Sequence, residues 1–164
     1  MATENRNGVY VSMMVDSLKR KETILSELLS YTKEQEEMLK QEELDADRFN
    51  ETLELKGSRI DELGTIDEGF DTMFKLVEKE IKAKSSQYKE EVQTMQTLIG
   101  QVSELGMQIQ ALERQNSERF KKYLAKERKV IHDYRINSKT ASGYYQNMAN
   151  THKAEQSYFF NEKK

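Results

Sequence analysis

Few residues in this chain have the type and spacing that catalysis or metal binding requires. The two histidines, His132 and His152, have no carboxylate at the spacing of a metal-binding motif. His132 and Asp133 are neighbours in sequence, so on a helix their side chains point in different directions. The chain has no cysteine, which excludes a cysteine nucleophile, a thiolate metal site and a disulfide framework. We therefore predict no enzymatic activity, no cofactor and no metal site.

An acidic run is the most plausible candidate for a cation site. Its members are Glu42, Glu43, Asp45 and Asp47. The run lacks the glycine and the bidentate glutamate of a calcium-binding EF-hand loop. Aspartates in this position are better explained as caps for the start of the next helix.

Basic and aromatic residues alternate over residues 119–135, a pattern that can bind nucleic acid. Residues 115–135 carry 7 Lys/Arg and 3 Asp/Glu, whereas residues 34–80 carry 6 Lys/Arg and 16 Asp/Glu. The whole chain is acidic, with a net charge of -3, and it contains no recognisable nucleic-acid-binding module. Regions of opposite charge favour an internal antiparallel pairing or an acidic partner, although a solvated helix surface explains the pattern better, and we predict no nucleic-acid partner.

The composition is typical of long, solvated helices. The 164 residues include no proline and no tryptophan, and 34% of them are charged against 36% hydrophobic. A β-sandwich needs frequent turn residues and an α/β enzyme needs apolar buried strands, so both classes are disfavoured. The longest apolar-leaning stretch, Val9 to Val15, is too short to span a bilayer, and no targeting segment is recognisable. We expect a cytoplasmic protein without stable membrane insertion.

Apolar residues at helical spacing predict the first two helices. A stripe from Met14 to Leu39 places a helix at about 10–42. A second stripe, from Phe49 to Leu63, places a shorter helix at about 46–63.

The third predicted helix is the longest. Thr65 and Glu68 have the spacing of a capping box, which favours a helix start near Ile66. Apolar residues then recur every seven positions, which predicts one helix over 66–132, roughly 100 Å long. Short connections favour antiparallel neighbours. The predicted fold class is therefore all-α: an antiparallel helical bundle or coiled coil with one very long third helix.

The C-terminal segment has a different character. Residues 134–164 hold six of the fourteen aromatic residues, and strong periodicity is lost there, although Ala141, Tyr145, Met148 and His152 would share one helical face. Such a segment either docks on its own bundle or stays loosely ordered until a partner orders it. We divide the chain into a helical bundle, 1–132, and a partner-binding C-terminal segment, 133–164.

Several passages taken together resemble one known family. They are Ser17–Glu36, Lys56–Leu63, the Asp-Glu-Gly-Phe passage within Ile66–Phe70, and Tyr144–Met148. Over about residues 10–148, their order and spacing resemble the FlgN-type flagellar export chaperones, especially those of Gram-positive bacteria.

The resemblance implies a cytoplasmic helical chaperone without enzymatic activity. Such proteins bind the hook-associated proteins of the hook–filament junction, prevent their premature self-association and deliver them to the flagellar export gate for type III secretion. In the family, the C-terminal part engages the cargo. From their expected exposure and apolarity, we predict that the partner-binding residues are Tyr134, Ile136, Tyr144, Tyr145, Met148, Tyr158, Phe159 and Phe160.

Other functions compete with this one. A FliT-like chaperone of the filament cap is close in kind, although chain length and the Asp-Glu-Gly-Phe passage argue mildly against it. A structural coiled-coil interaction protein would form a stable dimer with a dispensable tail. A nucleic-acid binder would show salt-sensitive DNA binding. The pattern leaves open whether the chain is a monomer or a homodimer.

Overall fold

The computed structural model describes residues 2–123 and 141–151, with side chains from residue 6 onward. Three helices, α1 (Ala2–Leu39), α2 (Ala46–Ala83) and α3 (Lys89–Tyr123), follow one another along the chain. Residues 141–151 are also helical and are called the C-terminal helix below. The all-α fold with a long third helix is confirmed, although α3, with 35 residues and a length of about 52 Å, is shorter than the predicted helix over 66–132.

Ion pairs show that α1 and α2 are antiparallel. Arg20 pairs with Glu62 at 2.8 Å, and Glu27 pairs with Arg59 at 2.5 Å. Nearer the end of α1, Glu34 pairs with Arg48 at 2.7 Å. Positions further along α1 thus meet positions earlier in α2, as expected for two helices joined by a short connection.

The third helix returns alongside the first. Asn116 donates a hydrogen bond from Nδ2 to the Thr32 carbonyl at 3.0 Å, and Arg119 pairs with Glu36 at 3.2 Å. Both contacts join α1 to α3 in a parallel register. The Arg119–Glu36 pair also joins the basic segment to the acidic region, but it does so between parallel helices rather than the antiparallel ones expected from the charge pattern.

Buried apolar side chains form three clusters along the bundle. The cluster near the α2–α3 turn includes Met14, Val77 and Met95. The cluster at the opposite end centres on Phe49 and Phe120, whose rings stack with centroids 5.4 Å apart. The middle cluster combines all three helices with the C-terminal helix.

The division between the second and third helices differs from the sequence prediction. Instead of ending near residue 63, α2 continues through Gly64 to Ala83 because Leu63 and Phe70 keep its apolar stripe buried. The Thr65 hydroxyl donates to the Asp61 carbonyl at 3.4 Å within the helix, rather than capping a new one. The predicted capping box and the helix start at Ile66 are therefore wrong.

The chain reverses direction at residues 84–88 instead, within the predicted third helix. This turn contains Ser85 and Ser86, which favour helix interiors less than straight-chain residues do. Ile81 lies before the turn and Tyr88 is its last residue, and both are buried. Because they are seven residues apart, the repeat runs through the turn without interruption. The first helix also begins earlier and ends earlier than predicted, at Ala2 and Leu39.

The acidic run does cap a helix, as predicted. The Asp45 carboxylate accepts a hydrogen bond from the Arg48 backbone N–H at 3.1 Å and is the N-cap of α2. Asp45→Ala is expected to lower the free energy of unfolding by about 1 kcal/mol, because that N–H loses its partner. Urea unfolding followed by circular dichroism measures the change. Glu43→Ala, at an exposed position in the same connection, is the control. An equal loss in both variants would contradict the capping role.

Candidate functional site

The C-terminal helix packs into a groove formed by the three long helices. Its residues Ala141, Tyr145 and Met148 are buried, with relative exposures of 2%, 1% and 4%. They join a cluster of apolar side chains from α1, α2 and α3. These side chains define the docking groove: Ile24, Leu25, Leu28, Leu63, Val102 and Ile109.

One carboxylate ties the C-terminal helix to the bundle. The Tyr144 hydroxyl donates a hydrogen bond to Asp67 Oδ2 at 2.9 Å. The other oxygen of Asp67 accepts a hydrogen bond from the Lys21 ammonium at 2.6 Å, and Lys21 is itself buried. Burial, reinforced by the negative charge of Asp67, raises the pKa of Tyr144. Asp67 on α2 therefore links both α1 and the C-terminal helix.

A glycine in α3 makes room for the C-terminal helix. The methyl group of Met148 occupies the space that a Cβ atom at Gly106 would need. At Gly100, six residues earlier in the same helix, a Cβ atom would meet nothing within 4 Å. Glycine at position 106 therefore leaves the space on α3 that the Met148 methyl group fills.

Tyr145, the residue after Tyr144, has a buried ring but a less favourable environment for its hydroxyl group than Tyr144 has. The Tyr145 ring is buried and meets the Tyr144 ring edge to face, with centroids 5.8 Å apart. Its hydroxyl is buried without a hydrogen-bond partner among the residues that the structure describes. Burial raises the pKa of Tyr145, and the charge of Glu113 raises it further. An unsatisfied buried hydroxyl disfavours the docked arrangement.

A buried polar layer lies beside the docking groove. It comprises Lys56, Glu113, Gln35 and Thr52. Lys56 forms an ion pair with Glu113 and also donates to Gln35 Oε1 at 2.8 Å, while Gln35 Nε2 donates to the Thr52 hydroxyl at 2.9 Å. Burial lowers the pKa of Lys56, and Glu113 opposes that shift. Because each member contacts another, the layer joins the three long helices in one register.

A cavity of about 340 Å³ opens between α1, α2 and the C-terminal helix. Its lining includes Leu18 and Phe70 from the long helices, Tyr144 and Met148 from the C-terminal helix, and the charged Lys21. The cavity therefore borders the C-terminal helix beside the docking groove.

The predicted partner-binding residues fall into two groups. Tyr144, Tyr145 and Met148 lie on the C-terminal helix and face the bundle. The remaining five, Tyr134, Ile136, Tyr158, Phe159 and Phe160, lie outside the described residues. Sequence reasoning did not identify Asp67 or Gly106 as parts of this site. The sequence did offer an indication for Asp67, because this residue belongs to the Asp-Glu-Gly-Phe passage.

Among the described residues, no group of three or more His, Cys, Asp or Glu side chains is arranged to hold a metal ion. None of the described helices has the length and hydrophobicity needed to cross a bilayer.

An all-helical bundle that holds an amphipathic helix in a groove is typical of proteins that bind other proteins. Comparison with protein families agrees, since the family model FlgN, described as FlgN protein, matches residues 11–152. The chain belongs to the FlgN family and is a flagellar export chaperone. No curated protein and no solved structure matches it.

Proposed function

We propose that this chaperone binds hook-associated proteins in the cytoplasm, prevents their premature self-association and delivers them to the flagellar export gate. The partner-binding region is the C-terminal segment, 133–164. One observation carries the proposal: Ala141, Tyr145 and Met148 form a single apolar face on a short helix, at spacings i, i+4 and i+7. This spacing is typical of a helix that packs against another helix or into a groove.

The proposed mechanism follows from how filament subunits assemble. Such a subunit has an apolar terminal helix that pairs with other copies in the assembled structure, and it would self-associate if left uncovered. A chaperone helix with a complementary apolar face masks it. Tyrosine and methionine suit this task because they give large, adaptable contact areas.

A chaperone must also release its cargo at the export gate. If the C-terminal segment becomes ordered on its partner, part of the interaction free energy is spent on ordering it. The complex is then weaker than its contact area suggests, which favours release.

Isothermal titration calorimetry with the hook-associated proteins of the same organism tests the proposal. We expect the full chain to bind and a 1–132 truncation to lose at least tenfold in affinity while remaining helical. Met148→Ala in the full chain is expected to weaken binding, whereas Asn150→Ala, at an exposed position of the same helix, is the matched control. Equal binding by the full chain and the truncation would place the site on the bundle. No binding by either would favour a structural coiled-coil role.

A further inference from the structure

The apolar face that the proposed function assigns to the partner is already covered. Tyr145 and Met148 are almost completely buried in the docking groove, and only the opposite side of the C-terminal helix faces solvent. One helix face cannot contact the groove and a partner at the same time. The docked arrangement and the partner complex therefore exclude each other.

Two contacts favour the docked arrangement. Tyr144 donates its hydrogen bond to the carboxylate of Asp67, which also pairs with Lys21, and hydrogen bonds within ion pairs are stronger than those between neutral groups. Met148 packs against the surface left open by Gly106. Both contacts are specific to this groove, so the helix docks in one register.

Two other features weaken the docked arrangement. The Tyr145 hydroxyl is buried without a partner among the described residues, and the open cavity beside the helix reduces its packing. The charged side chains beside the groove also stay paired without the helix. Asp67 remains paired with Lys21, and Glu113 remains paired with Lys56. Departure of the C-terminal helix therefore leaves both Asp67 and Glu113 paired.

We propose that the docking groove is an intramolecular binding site that masks the C-terminal helix, and that the partner must compete with the groove for the face formed by Ala141, Tyr145 and Met148. The inference rests on the proposed function for the identity of the partner. Masking covers the apolar face while no cargo is present. It also lowers the apparent affinity for cargo in proportion to the fraction of chains that are undocked.

Two adjacent tyrosines allow a matched test in the chain without a partner. Tyr144→Phe and Tyr145→Phe each remove one hydroxyl group, but their expected effects are opposite. Tyr144→Phe loses the bond to Asp67, so amide hydrogen exchange over residues 141–151 is expected to accelerate by about tenfold. Tyr145→Phe removes the unsatisfied hydroxyl, so exchange over the same residues is expected to slow. Changes in the same direction, or no change in either variant, would overturn the proposal. Exchange that slows as protein concentration rises would assign the groove to the helix of a second copy and would also overturn it.

A groove-side variant tests the competition without altering the partner-binding face. Gly106→Leu occupies the space of the Met148 methyl group and is expected to release the C-terminal helix, while Gly100→Leu is the control on the same helix. Calorimetry with the hook-associated protein should show about tenfold tighter binding for Gly106→Leu and wild-type binding for Gly100→Leu. Release of the helix without a gain in affinity would overturn the competition. If no variant binds the hook-associated protein, the proposed function and the competition both fail, while the exchange data still decide the docking.

Discussion

Replacement of Glu113 by leucine is expected to lower the free energy of unfolding by about 3–5 kcal/mol. The reason is that Lys56 is only 5% exposed and would lose the carboxylate that balances its charge, so that holding the ammonium group in the bundle would become costly. Its remaining polar contact would be the bond to Gln35. Urea unfolding at pH 7, followed by circular dichroism, measures the loss.

The same variant should show a diagnostic pH dependence. Burial already lowers the pKa of Lys56 below its ordinary value of 10.5, and removal of Glu113 takes away the charge that opposes this shift. Between the lowered folded pKa and the ordinary value, the unfolded chain binds more protons than the folded chain. The free energy of unfolding therefore rises with pH across that window. The defect of Glu113→Leu should shrink as the pH rises from 7 towards 10.

The double variant Lys56→Met/Glu113→Leu distinguishes the cost of removing both charges from the cost of removing only one of them. It should be more stable than either single variant, because it leaves no buried charge unpaired. Glu118→Ala is the surface control, since the side chains of Glu118 and its partner Lys121 are 72% and 59% exposed. That control is expected to change stability by less than about 0.5 kcal/mol. Additive losses in the double variant would contradict the account of the polar layer.

Replacement of Phe120 by alanine is the second change with a large expected effect. Phe120 is 1% exposed, stacks on Phe49 from α2 and lies 6.3 Å from Tyr123, centroid to centroid. Truncation would leave a cavity at the end of the bundle and is expected to cost about 3–5 kcal/mol. The shift in urea midpoint at an unchanged slope measures this cost.

Met107→Ala is the matched control for Phe120→Ala, because Met107 lies on the same helix and is 64% exposed. We expect it to change stability by less than about 0.5 kcal/mol. Comparable losses in the two variants would mean that this end of the bundle is not held by the Phe49–Phe120 contact.

The fold class was predictable because it depends on local properties. The apolar stripes of α1 and α2, the absence of proline and the cap at Asp45 all act over a few residues, and the structure agrees with them. The reversal at residues 84–88 was missed because Ile81 and Tyr88 keep the seven-residue repeat intact across it. A repeat reports which face is buried, but it does not report whether the chain continues or turns back.

Of the site, only the apolar face of the C-terminal helix could be predicted from the sequence, and the groove that covers it could not. The sequence indicated that Ala141, Tyr145 and Met148 share a face, and the structure confirms that all three are buried together. It did not indicate what covers them. Asp67 and Gly106 meet the C-terminal helix only because α2 and α3 both pack against α1, and no local pattern encodes a contact between such distant positions.

We expect the C-terminal helix to leave the docking groove when a hook-associated protein binds. The chain has no cysteine, so single cysteines introduced at the exposed positions Glu104 and Asn150 can carry spin labels without further changes. Double electron–electron resonance then measures the distance from α3 to the C-terminal helix. We predict one short distance in the free chain and a longer distribution at saturating partner. A short distance that persists in a complex verified by calorimetry would contradict the account.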